Sequence, residues 1–171
     1  MQVSIRNKWV SFGGSSTVKD MNEKDVLFVK GKVFTFTRKK FVRDLEQNLL
    51  YTVRNKFWIL FAKKAMIYDK DGNIVANIRR KVISLHDHYF VESPVGQIEI
   101  KGNILCFDYH IWLNGEEVGH ISRKISLRDS YVLDLKDGLE LPFFVALVIA
   151  VDNITDRRRD DSSSVSFSSG D

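Results

Sequence analysis

The sequence contains a single cysteine, Cys106, only two prolines, Pro94 and Pro142, and no apolar run longer than the eleven residues from Leu141 to Val151. One thiol can neither close an intramolecular disulfide nor build a thiolate metal site, which excludes a disulfide-stapled secreted scaffold and points to the cytosol. Eleven apolar residues fall well short of the roughly 20 that a helix needs to cross a bilayer, so no transmembrane span is expected. The stretch from Met1 to Arg6 lacks the basic segment, apolar core and small-residue cleavage site of a signal peptide, and no export is expected. Glycine-rich phosphate loops, GxSxG elbows and HExxH pairs are also missing, which removes the common enzyme signatures.

What the chain does have is apolar content: 44% hydrophobic residues and twelve Phe in 171 positions, enough for one globular domain with its own core. Three segments repeat: Val18 to Lys32, Val42 to Lys56 and Ile67 to Lys81. Each holds a β-branched or aromatic run, then Asp20, Asp44 or Asp69 with a polar turn, then a second apolar run ending in basic residues. This is a hairpin signature, clearest at Asp71-Gly72, where the turn calls for positive φ. Asp at the head of a turn caps nearby backbone N–H groups, a structural role that competes with any calcium-site reading of the Asp series. Val91 to Ile100, broken at Pro94 and Gly96, reads as another hairpin, and Ile111 to Lys124, turning at Asn114-Gly115, as a weaker fourth copy. About ten to twelve strands in succession predict a mainly antiparallel barrel or sandwich, because only closure or stacking protects so many edges.

The period changes after Asp137. Leu141-Pro142 opens a segment, Phe143 to Val151, that has no polar face and must therefore be buried on every side. Val and Ile also suit a pair of buried strands, so periodicity alone leaves both open. Pro142 as a helix start and Asp152-Asn153 as a stop favour one helix over about 141–153, with Phe143, Phe144, Leu147, Val148 and Val151 in the core. Residues 156–171, rich in Ser, Asp and Arg, read as a disordered tail.

Asp-turn hairpins ending in basic residues, followed by one wholly apolar helix from Leu141-Pro142-Phe143-Phe144 to Val151-Asp152, resemble the LURP-one-related family of the Tubby C-terminal-like superfamily. The resemblance covers about Val3 to Ile154 and implies a domain over 1–155: a closed antiparallel barrel of about twelve strands around a central hydrophobic C-terminal helix. It also implies a function at lipid surfaces, since Tubby domains bind phosphoinositides and the related phospholipid scramblases act at bilayers. The scramblases' calcium-binding and palmitoylation features have no counterpart in this sequence, and no functional residue carries over by motif.

Charge is the strongest functional signal. Residues 1–81 hold 18 Lys and Arg against 7 Asp and Glu, a net +11, whereas residues 82–171 are net −7. Lys30 and Lys32, Arg54 and Lys56, and Arg79 and Lys81 fall at equivalent places in the three repeats, and i, i+2 spacing puts both members of each pair on one face of a strand. Together with Arg38, Lys39 and Lys40, and with Lys63-Lys64, they predict a basic outer wall that suits phosphate groups of anionic phospholipids or of another phosphorylated ligand. Phe34, Trp58 and Ile83 share that face, a mixture fitted to a headgroup region. Lysines at alternate strand positions also keep barrels soluble and guard edges, so solvated surface is the competing reading. The expected function is a non-catalytic binding module in the cytoplasm, peripheral at the membrane, with a structural or protein-interaction barrel as the alternative. Nucleic acid would complement the same charge, but no RNP-type or helix-turn-helix signature accompanies it.

His86-Asp87-His88 places two imidazoles on one strand face, and His110 or His120 could add a third ligand. Spacing identifies no complete set, so no metal or other cofactor is assigned. Cys106, Asp108 and His110 contain the residue types of a thiol nucleophile, a base and an orienting group. Their i, i+2, i+4 spacing strings them along a strand instead of converging them, and no catalytic residue is assigned.

Overall fold

The structure, a computed structural model, describes residues 1–6, 16–31, 39–55, 64–81, 86–103, 108–124 and 130–165. In each of the three repeats the Asp closes a turn as its chemistry predicts. Asp20 Oδ1 accepts the N–H groups of Asn22 and Lys24, Asp44 Oδ1 that of Asn48, and Asp69 Oδ1 those of Asp71 and Asn73, all at 2.8–2.9 Å. Gly72 takes φ 88° at the sharpest point of its turn, a conformation that costs glycine nothing.

The strands so joined are β1 (Gln2–Arg6), β2 (Ser16–Asp20), β3 (Asp25–Gly31), β4 (Lys40–Arg43), β5 (Leu49–Asn55) and β6 (Lys64–Tyr68). There follow β7 (Ile74–Arg80), β8 (Asp87–Ser93), β9 (Gly96–Asn103), β10 (Asp108–Leu113), β11 (Glu116–Lys124) and β12 (Ser130–Leu135). Each pairs antiparallel with its sequence neighbours, and β1 closes on β12 in register from Gln2 opposite Asp134 to Arg6 opposite Ser130, so the barrel has no open edge. The repeat extends to irregularities: a register shift falls at Val18/Lys19, Val42/Arg43 and Ile67/Tyr68, the same place in each hairpin.

Closure leaves an interior, and one helix fills it. Helix α1 (Leu141–Val165) enters at the end of the barrel that carries the Asp turns, and every residue from Phe143 to Thr155 is buried. Around it pack the inward residues of the strands, including Val18, Val42, Val53, Ile67, Ile78, Ile100, Ile111, Ile121 and Leu133. The expected stop at Asp152-Asn153 is corrected: the helix continues to Val165, through ten residues of the segment expected to be disordered. The polar residues do not end it because the barrel wall supplies partners. Tyr131 Oη donates to Asp152 Oδ1 at 2.8 Å, Asn55 Nδ2 to the Asn153 carbonyl at 3.3 Å, and Tyr89 Oη pairs with Thr155 Oγ1 at 3.2 Å. Beyond them neither Pro nor Gly occurs before Gly170. No helix of the described residues is long and apolar enough to cross a membrane.

Candidate functional site

The basic wall is built by strand alternation. In β3, Leu27 and Val29 point inward and Lys30 is exposed; in β5, Val53 and Asn55 point inward and Arg54 outward; in β7, Ala76 and Ile78 point inward and Arg79 outward. Lys81, just past β7, is exposed as well. Three equivalent strands of one wall therefore each present a cation, as their repeated sequence predicts. Between them β6 adds Lys64, whose cross-strand neighbour is Arg79. These two side chains flank a shallow cleft of about 240 Å³ also lined by Met66 and Asn77.

Aromatic and apolar groups interleave with the charges. Phe41 is the cross-strand neighbour of Lys30, and Lys39 Nζ lies 4.9 Å from the centre of its ring. Met66 stands opposite Arg54, whose guanidinium lies 5.8 Å from the Tyr68 ring centre. Arg79 is bidentate to Glu92 through one nitrogen, at 2.9 Å to each oxygen. Among the described residues Lys30, Arg54, Lys64 and Lys81 make no ion pair with a carboxylate. Lys32, Lys56, Arg38 and Lys63, with Phe34, Trp58, Ile83 and Cys106, lie outside the described residues.

Lys40 departs from the expectation. The sequence places it on the outer wall, but β4 alternates the other way: Phe41 and Arg43 face out, while Lys40 and Val42 face the helix. Lys40 Nζ approaches Asp152 Oδ2 at 3.9 Å, with side-chain exposures of 13% and 4%. A flanking cluster of three basic residues does not reveal which of them strand parity turns inward. Lys40 is part of the polar layer around the helix, not of the wall.

The histidines divide between two places. Asp87 of the His86-Asp87-His88 motif points inward, where it accepts from Arg80 Nε at 2.7 Å and from Tyr109 Oη at 3.1 Å. His86 is exposed ahead of β8, and His88 bonds Glu99 Oε2 across the outer face at 2.7 Å. His110 and His120 lie instead on β10 and β11, directly opposite each other, their rings 4.7 Å apart. Asp108 completes a cluster with them, one ligand atom of each residue lying within 4.8 Å of the others. Sequence spacing conceals this trio. A two-residue Asn114-Gly115 turn with unbroken register sets His110 against Gly119 and turns His120 inward. A bulge that leaves Val118 unpaired shifts the register between Ile111 and Trp112 and swings His120 to the outside.

The same barrel occurs in a solved structure of an Arabidopsis thaliana protein, 15% identical, which aligns over 88% of this chain and 90% of that one with a TM-score of 0.62. At that identity the likeness speaks for the fold alone. The family model for LURP-one-related proteins matches residues 1–152. The chain belongs to the LURP-one-related family. Among curated proteins nothing matches its sequence. In this LURP-one-related barrel the matched span takes in all twelve strands and the buried apolar part of the helix.

Proposed function

We propose that this barrel is a non-catalytic binding module that engages phosphate groups, those of anionic phospholipids at a membrane surface or of a free phosphorylated ligand, through the outer wall from β3 to β7. The observation that carries the reading is the recurrence of outward Lys30, Arg54 and Arg79 on equivalent strands, with Lys64 and Lys81 beside them and Phe41, Met66 and Tyr68 between. A helix that fills the interior leaves the outside of the wall as the place to meet a ligand. Each basic residue near an anionic surface contributes up to about 1 kcal/mol, so five acting together supply up to about 5 kcal/mol, enough for binding in the range of about 0.2 mM without any deep pocket.

Cosedimentation with vesicles tests the reading. Binding is expected to vesicles containing anionic lipid and not to neutral ones, to weaken as salt rises, and to fall at least tenfold when Lys30, Arg54, Lys64, Arg79 and Lys81 become Glu. Soluble inositol phosphate that binds the wild type while vesicles do not would assign the wall to a free ligand. No binding to either, or binding unchanged in the charge-reversed variant, overturns the proposal. A second reading follows from the opposite wall, where Asp108, Glu117 and Asp134 face out on β10, β11 and β12. With β5 and β11 six strands apart around the ring, positive and negative walls face opposite ways, an arrangement suited to association with a complementary protein surface or a second copy. Light scattering would then show assemblies that dissolve near 1 M salt, where screening reaches only about 3 Å.

A further inference from the structure

The feature of the acidic wall left without a role is the cluster on the outer face of β10 and β11. His120 Nε2 lies 2.5 Å from Asp108 Oδ1, and His110 Nδ1 lies 2.6 Å from Glu117 Oε1. A carboxylate only accepts, so the His110 nitrogen facing Glu117 carries the proton and the other ring nitrogen, Nε2, keeps its lone pair. A carboxylate behind one imidazole nitrogen, freeing the other to ligate, is the support that metal-binding histidines have.

We infer that Asp108, His110 and His120 form a site for a divalent transition-metal ion of borderline hardness, such as Zn²⁺ or Ni²⁺, with Glu117 as the positioning residue behind His110. Two imidazoles and a carboxylate are the donor set such ions select, in contrast to the all-oxygen shells of Ca²⁺ and Mg²⁺. The spacing is close to what an ion needs. Ligand atoms at 2.0–2.2 Å from a tetrahedral ion lie about 3.3 Å from one another, and the three here are already within 4.8 Å. An ion inserted between His120 and Asp108 takes the place of the proton on Nε2, which in the neutral ligating imidazole is carried by Nδ1 instead, and the pair opens by under about 1 Å.

The backbone positions these groups. His110 and His120 are direct cross-strand partners, Asp108 is two residues from His110 on the same face, and the Val118 bulge fixes that register. Electrostatics favour a cation there. Asp134 is the next cross-strand neighbour of His120, and Lys101, the neighbour of His110 on β9, has its ammonium 2.8 Å from Glu99. Three protein ligands leave one tetrahedral position for water, and His120 also borders, with Glu117, Asp134 and Lys136, an open groove of about 650 Å³.

Calorimetric titration of the full, chelator-stripped chain with ZnCl₂ and with NiCl₂ tests the site. One ion is expected per chain, with affinity reduced at least tenfold in His110→Gln, in His120→Gln and in Asp108→Asn, and about tenfold in Glu117→Gln, the usual loss on removing such a supporting carboxylate. Exposed side chains make these variants unlike core changes, and circular dichroism matching the wild type checks that each is folded. His88→Gln and Cys106→Ser, which change the remaining strand histidine and the one thiol, should bind as the wild type does. The inference is overturned by the absence of saturable binding of either ion, by binding that survives the His110→Gln/His120→Gln double variant, or by binding that His88→Gln or Cys106→Ser removes.

Discussion

Gly102 shows how one missing side chain arranges a buried network. It lies between Asp87 and Tyr109 in a continuous cross-strand row from β8 through β9 to β10. A Cβ there would lie 1.9 Å from the Asp108 carbonyl oxygen and 2.7 Å from both the Tyr109 Cα and Cδ1. The Tyr109 ring therefore occupies space that any side chain at 102 would take, and its hydroxyl reaches past the glycine to Asp87, which also holds Arg80. Gly102→Ala should destabilise the barrel by about 1–3 kcal/mol or more, because the obstruction is backbone and cannot turn aside. Urea unfolding measures the loss, and a midpoint equal to that of the wild type would show that the two strands part without cost. Nothing in the sequence around Gly102 announces this, since the close approach depends on the β9–β10 register. The Asp turns, in contrast, were legible because their chemistry is local: carboxylate and bonded N–H lie within four residues.

At the scale of elements, the helix was readable as far as its composition spoke. Phe143 to Val151 lacks a polar face, and total burial follows from that. Its continuation through Asp152, Asn153 and Thr155 was not readable, because the partners that make those residues tolerable, Tyr131, Asn55 and Tyr89, come from three distant strands. The same limit hid the inward turn of Lys40 and the meeting of His110 with His120, each decided by parity or by a bulge. The apolar segment yields a sharp expectation. Ala146 and Val148 are 0% and 1% exposed with the wall on all sides, and an unpaired charge at either costs several kcal/mol against a total stability of about 5–15. Ala146→Asp and Val148→Lys should yield no folded protein, whereas Val148→Ala should remain folded but less stable by about 1–3 kcal/mol. Soluble charged variants with native circular dichroism would show that the helix is not the element around which the barrel closes.

For the molecule as a whole, closure around the helix leaves Tyr89 and Tyr109 fully buried, and these tyrosines give a way to observe when the barrel opens. Burial, helped by the charge of Asp87, pushes Tyr89 up to about 12, and burial together with Tyr89 and Asp87 pushes Tyr109 up further. Tyr51, at the mouth where its hydroxyl donates to Glu140, is raised by burial and by that bond. In the unfolded chain tyrosine ionises near pH 10. Below that pH both states hold the phenol proton and the stabilisation is intact. Above it the unfolded chain has released protons that the barrel retains, so stability falls by about 1.4 kcal/mol per pH unit for each fully buried tyrosine. Tyr89 and Tyr109 together remove up to about 5 kcal/mol between pH 10 and 12, which is comparable with the whole stability of a domain this size. Their tyrosinate absorbance should therefore rise in one cooperative step that coincides with loss of the β circular-dichroism signal, and Tyr109→Phe should make the decline with pH shallower. Ionisation of both near pH 10 with the β signal unchanged would mean that solvent reaches the helix-filled interior without the barrel opening.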